Sequence, residues 1–238
     1  MQGVEEKGEE PPTPFLNLIQ YQIIINKTTT TSIVINVELP FNGNPNNFYE
    51  KLYKNKITYG FIRSELGFSD DVKIKFNGTF TRDLYYIDDN KIVCKTSFKI
   101  QTAAWMNKTT NKWQYVSIFP CFIKKYCQMS LNLLENICCL TGKGENIFDH
   151  IDDPEGLFDC EDPIARPLKR FEKEFKRSDP SALLNSKYAQ VYNLSISLDA
   201  YNVVPRRFQK VYELILTAIY YFGIDRGGLA ITNTILNL

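Results

Sequence analysis

Apolar and polar positions follow two different periods along this chain, and the change falls near Pro120. Before it, β-branched and aromatic residues come in short runs broken by polar turns, the pattern of strands. FLNLIQYQIIIN (15–26) and SIVINVELP (32–40) flank KTTTT and read as two strands with a polar turn. FNGNPNN (41–47) reads as a loop. Phe48, Leu52 and Tyr53 have helical spacing, so a short helix is expected there, with a looser segment after it. VKIKF (72–76) alternates, Asn77-Gly78 is a two-residue hairpin signal, and TFTRDLYYI (79–87) is the expected return strand. Asp88-Asp89-Asn90 and NKTTNK (107–112) then separate KIVCKTSFKIQTAAW (91–105) from WQYVSIF (113–119). The product is an antiparallel meander.

After Pro120 the period lengthens. Positions 123, 127, 131, 134 and 138 share a helical stripe, which predicts a helix starting almost at once and ending at Gly142 and Gly144. Three Asp-Pro pairs follow: Asp153-Pro154, Asp162-Pro163 and Asp179-Pro180. Each reads as a helix start, because the carboxylate accepts an orphan N–H and proline supplies a preset φ. The second pair leads into Leu168, Phe171 and Phe175, the third into Leu184, Tyr188 and Val191. Residues 194–204 are loosely strand-like. Pro205 opens a last helix with Phe208, Val211, Tyr212, Ile215, Ile219 and Phe222 on one face, and a short apolar tail ends the chain. The expected fold class is α+β, with an N-terminal antiparallel β-meander module and a C-terminal array of short helices. The expected division is an acidic, disordered leader at 1–14, a strand-rich module at 15–119 and a helical module at 120–238.

Composition narrows the functional classes only a little. A formal net charge of +1 gives no overall field that selects nucleic acid or membrane, so any electrostatic role must be local. The run at 211–224 is shorter than the ~20 residues a bilayer span needs and carries Glu213, so no membrane partner is expected. Six cysteines follow an acidic N-terminus with no apolar signal region. Free thiols in a reducing cytoplasm are the expectation.

Local chemistry offers three candidates. Zinc knuckles need paired C-x₂-C turns, and the chain has none, so the cysteines read as small buried hydrophobes and no metal site is expected. The stretch DHIDDPEGLFDCED (149–162) holds seven carboxylates and the only histidine, His150. Helix capping accounts for Asp153 and Asp162 there more simply than metal binding does. The third candidate is RPLKRFEKEFKR (166–177), with a net local charge of +4. On a helix buried through Leu168, Phe171 and Phe175, the cations Arg166, Lys169, Arg170, Lys173, Lys176 and Arg177 would line the outer face and reach phosphates. Lys124 and Lys125 add a second basic point, and Arg206, Arg207 and Lys210 a third. No P-loop and no nucleophile elbow is present, so neither a cofactor nor an enzymatic activity is expected.

The order of parts also carries a resemblance. A β-hairpin module, then Ser117-Ile-Phe-Pro120-Cys-Phe122-Ile123-Lys-Lys-Tyr126, then short helices, resembles the front end of bacterial insertion-sequence transposases over about residues 70–192. In that family a zinc-ribbon-like hairpin passes through a Leu-Pro-x-Phe-(Ile/Leu)-x-x-Tyr junction into a helix-turn-helix. The family's paired cysteines are missing here, with Cys94 alone near a knuckle position, and nothing after 195 resembles the catalytic acidic domain. The resemblance therefore implies a degenerate, metal-free relative that binds duplex DNA without catalysis. The alternative is a protein-interaction or structural module, with a protein partner or second copy docking on the last helix at Tyr220, Tyr221 and Phe222.

Overall fold

The computed structural model describes residues 32–35, 45, 55, 57–158, 161–192, 207–224 and 226–238. The expected leader, the strand at 15–26, the helix from Phe48 and the strand-like 194–204 lie outside the described residues. In chain order the elements are β1 (Ser32–Ile35), α1 (Tyr59–Leu66), β2 (Ile74–Ile87), β3 (Val93–Asn107), β4 (Lys112–Pro120), α2 (Leu131–Lys143), a 3₁₀ turn (Ile147–Asp149), α3 (Glu161–Ser178), α4 (Pro180–Tyr192), α5 (Gln209–Phe222) and α6 (Gly228–Leu236). The fold is α+β, with the strands in the N-terminal and middle part and most helices after them.

One four-stranded sheet has the order β1-β4-β3-β2. The β2-β3-β4 meander is antiparallel, and β1 adds to β4 in parallel, with Ile33 opposite Ile118. The expected turn at Asn77-Gly78 is not a turn. β2 runs through it as one 14-residue strand, and the register slips between Phe76 and Thr79, so Asn77 and Gly78 together face Thr102. This is a β-bulge, with Gly78 at φ +79°. The partner strand satisfies it: Thr102 Oγ1 donates to both bulge carbonyls at 3.0 Å, and Gln101 Nε2 donates to Gly78 O at 2.8 Å. A sequence that tolerates positive φ serves a bulge as well as a hairpin, and long-range pairing decided between them.

The helix expected straight after Pro120 begins ten residues later, at Leu131. The intervening backbone is committed elsewhere. Ile123 N–H donates to Pro120 O at 3.0 Å, Cys127 N–H to Lys124 O at 3.1 Å, and Tyr85 of β2 bonds Gln128 O and Ser130 N–H, both at 2.8 Å. Ser130 then caps α2, its Oγ accepting from Leu133 N–H at 3.1 Å. Ile123 and Cys127 are buried as the stripe predicts, but through a loop folded on β2.

The Asp-Pro pairs divide. Asp179 caps α4, accepting from Ala182 N–H at 3.3 Å, and is the only residue between α3 and α4. Asp162 lies one residue inside α3. Asp153 starts no helix; its carboxylate accepts from Leu157 and Phe158 N–H and closes a turn. The expected apolar tail is a helix, α6, and the segment expected to be loose contains α1.

Two apolar clusters hold these elements. One joins the sheet to α1 through Ile62, Phe98, Ile100, Ile118 and Phe122. The other gathers the later helices through Leu134, Phe171, Phe175, Leu214 and Ile215. The last helix belongs to both, with Leu229 in the helical cluster and Ala230 in the sheet cluster. Its Asn233 is fully buried and donates to Cys121 O at 2.8 Å and Ile123 O at 3.2 Å, pinning the loop that leaves β4.

Candidate nucleic-acid interface

Helix α3 is amphipathic in the expected sense. Leu168, Phe171 and Phe175 are buried, and Arg166, Lys169, Arg170, Lys173, Lys176 and Arg177 are all exposed. The spacing i, i+4, i+7, i+11 sets Arg166, Arg170, Lys173 and Arg177 in one line. At about 1.5 Å of rise per residue that line runs roughly 16 Å along the helix. Lys169 and Lys176 fall to one side of it, and Lys176 Nζ pairs with Glu172 at 3.3 Å.

The N-terminal half of α3 forms one wall of an open groove of about 1010 Å³. Strands β2 and β4, the 124–129 loop and Leu157 and Phe158 before α3 form the rest. Four of the expected cations meet there, Lys124, Lys125, Arg166 and Arg170, and Arg82 joins them from β2. Among the described residues no aspartate or glutamate lines the groove, although the chain has nearly as many acids as bases. The resulting positive local potential is what an anionic ligand requires.

The five cations differ in their surroundings. Lys124 is buried, with Nζ 3.0 Å from Glu174 Oε1 and 5.4 Å from the centre of the Phe171 ring. It ties the loop to α3. Arg82 donates to Lys124 O at 3.1 Å, and Arg170 donates to Tyr126 O at 3.4 Å. The two guanidiniums thus bracket the 124–127 turn, each bond using one of an arginine's five donors. Burial lowers Arg82 from its ordinary pKa, and the group stays charged. Lys125 Nζ lies 4.9 Å from the centre of the Tyr126 ring.

Sequence reasoning missed Arg82 and the aromatics. Phe80, Tyr115 and Tyr126 line the groove and are 41%, 56% and 70% exposed. Tyr115 and Tyr126 exceed every other exposed large apolar side chain described, so these rings are not fillers of a core. A β2 reading that ended at a hairpin hid Phe80, and a helix reading of 121–130 hid Tyr126.

The remaining candidates are used within the fold. Lys210 pairs with Glu213 at 2.8 Å, and Arg207 lies over the Phe208 ring. Arg206 is outside the described residues. His150 Nε2 lies 3.2 Å from Glu145 Oε2. Among the described residues no three His, Cys, Asp or Glu side chains converge as metal ligands do, and no helix is long and apolar enough to cross a membrane. Tyr221 and Phe222 are buried beside Tyr188, and Tyr220 alone of the three is exposed. No protein-family model, curated protein or solved structure matches this chain.

Proposed function

We propose that this chain is a non-catalytic DNA-binding protein, an accessory relative of insertion-sequence transposases acting in the cytoplasm. The observation that carries the proposal is the exposed line Arg166, Arg170, Lys173 and Arg177 on α3, which continues out of a groove whose described lining holds no acidic residue. Such a line lies alongside about five phosphates of one DNA strand, at about 3.4 Å of axis per phosphate. α3 and α4, joined through Asp179, serve as the DNA-facing helix pair, with a joint shorter than the three to four residues of a usual helix-turn-helix. Lys125 extends the phosphate contacts across the groove, and Lys124 with Glu174 fixes the wall. The free thiols of Cys94, Cys127, Cys138 and Cys139 fit a reducing compartment.

Fluorescence anisotropy with labelled duplex DNA at about 50 mM salt tests the proposal. Binding that weakens steeply as salt rises is the expected result. Absence of binding at that salt removes it.

A further inference from the structure

We infer that the groove takes an unpaired nucleic-acid strand, whose bases stack on Tyr126 and Tyr115 while Arg166, Arg170 and Lys125 hold its phosphates. The inference rests on the phosphate-binding reading above and names the form of nucleic acid the groove selects.

Tyr126 is the centre of it. The residue stands at φ +63° in the turn closed by the bond from Cys127 N–H to Lys124 O. This is the left-handed region, costly for a bulky side chain and normally given to glycine in such turns. Backbone strain of this kind persists where surrounding structure over-determines it, and it clusters at ligand clamps. Here Arg170 holds the carbonyl of the strained residue and Arg82 holds that of Lys124. The ring so presented is the most exposed large apolar side chain described. Lys125 lies against it, so an aromatic face and a cation are offered together, as a base attached to a phosphate requires.

Duplex DNA does not use such rings, because its bases are stacked on one another. A strand-binding groove combines cations tracking the backbone with aromatic platforms, and each stacked base contributes about 1–3 kcal/mol. Tyr115 on β4 and Phe80 on β2 extend the platform across the sheet side of the groove, opposite Arg166 and Arg170 on α3.

The test compares the intact chain with Tyr126→Phe and Tyr126→Gly, measured by anisotropy on a deoxythymidine oligomer, a uridine oligomer and a duplex. Tyr126→Gly removes the ring and relieves the strained φ, so a loss of binding in a variant whose urea midpoint is equal or higher is not a folding defect. The expected result is about tenfold weaker binding of the single strands by Tyr126→Gly, retention by Tyr126→Phe, and an unchanged duplex affinity. Loss on only one oligomer identifies the groove's strand as DNA or RNA. Duplex binding with single-strand affinity unaffected by Tyr126→Gly overturns this inference alone. Failure of the intact chain to bind any of the three overturns the DNA-binding reading with it.

Discussion

The carboxylate of Glu135, on α2, accepts the backbone N–H of Leu229 through Oε2 at 2.8 Å. Its Oε1 takes the N–H of Gly227 at 2.7 Å. The first turn of α6 is thus capped by a buried side chain 92 residues earlier in the chain. Glu135→Ala leaves two N–H groups without this acceptor at a helix N-terminus, and should cost about 3 kcal/mol. Glu135→Gln keeps the shape and one good acceptor, and should cost about 1 kcal/mol. Urea unfolding measures both, and equal costs would contradict a capping role.

Just beyond that cap, α6 crosses α5 closely. A Cβ built on Gly228 would stand 3.2 Å from Ala218 Cβ and 3.2 Å from Ile215 O. Gly228→Ala should therefore cost about 1–3 kcal/mol by forcing the helices apart. The bulge residue Gly78 has open space around its Cβ position, so Gly78→Ala should cost only about 1 kcal/mol, from its φ of +79°. Thermal or urea unfolding of the two variants should keep that order.

The pair Lys124–Glu174 has one buried and one half-exposed member. Lys124→Met fills the same space without a charge and should change stability by less than about 1 kcal/mol. Glu174→Ala strands the buried ammonium and should cost about 2 kcal/mol, moderated by solvent at the Glu174 end. DNA affinity of Lys124→Met should match that of the intact chain. A large loss would return Lys124 to the phosphate contacts.

Thiol chemistry follows from burial. Desolvation pushes the thiols of Cys94, Cys127 and Cys138 above their ordinary value and that of Cys139 up to about 12. A raised pKa reduces the thiolate fraction at neutral pH, and thiolate is the reactive form. Iodoacetamide at about pH 7.5 should label these four slowly in the folded chain and fully in urea, as read by peptide mass spectrometry. Rapid native labelling of Cys138 or Cys139 would contradict their placement.

The elements legible in the sequence were those whose signals are local. The α3 stripe of Leu168, Phe171 and Phe175 and the Asp179 cap needed no distant partner, and both are present. The features that were missed depend on remote groups. GLAITNTIL reads as an apolar tail because its cap is Glu135, and Asn77-Gly78 reads as a hairpin because Gln101 and Thr102 lie outside any local window. The cations of α3 were found from the same stripe. Arg82, Tyr115 and Tyr126 were not, because β2, β4 and the 124–129 loop meet α3 only in three dimensions.

The central claim is that the line on α3 contacts phosphates. Its most direct test is the salt dependence of duplex affinity for the intact chain and for a variant carrying Arg166→Gln, Arg170→Gln, Lys173→Gln and Arg177→Gln. Each phosphate contact contributes about 0.9 to the slope of log affinity against log salt. The expected slope is shallower by about 3 to 4 in the variant. Equal slopes for the two proteins would contradict it.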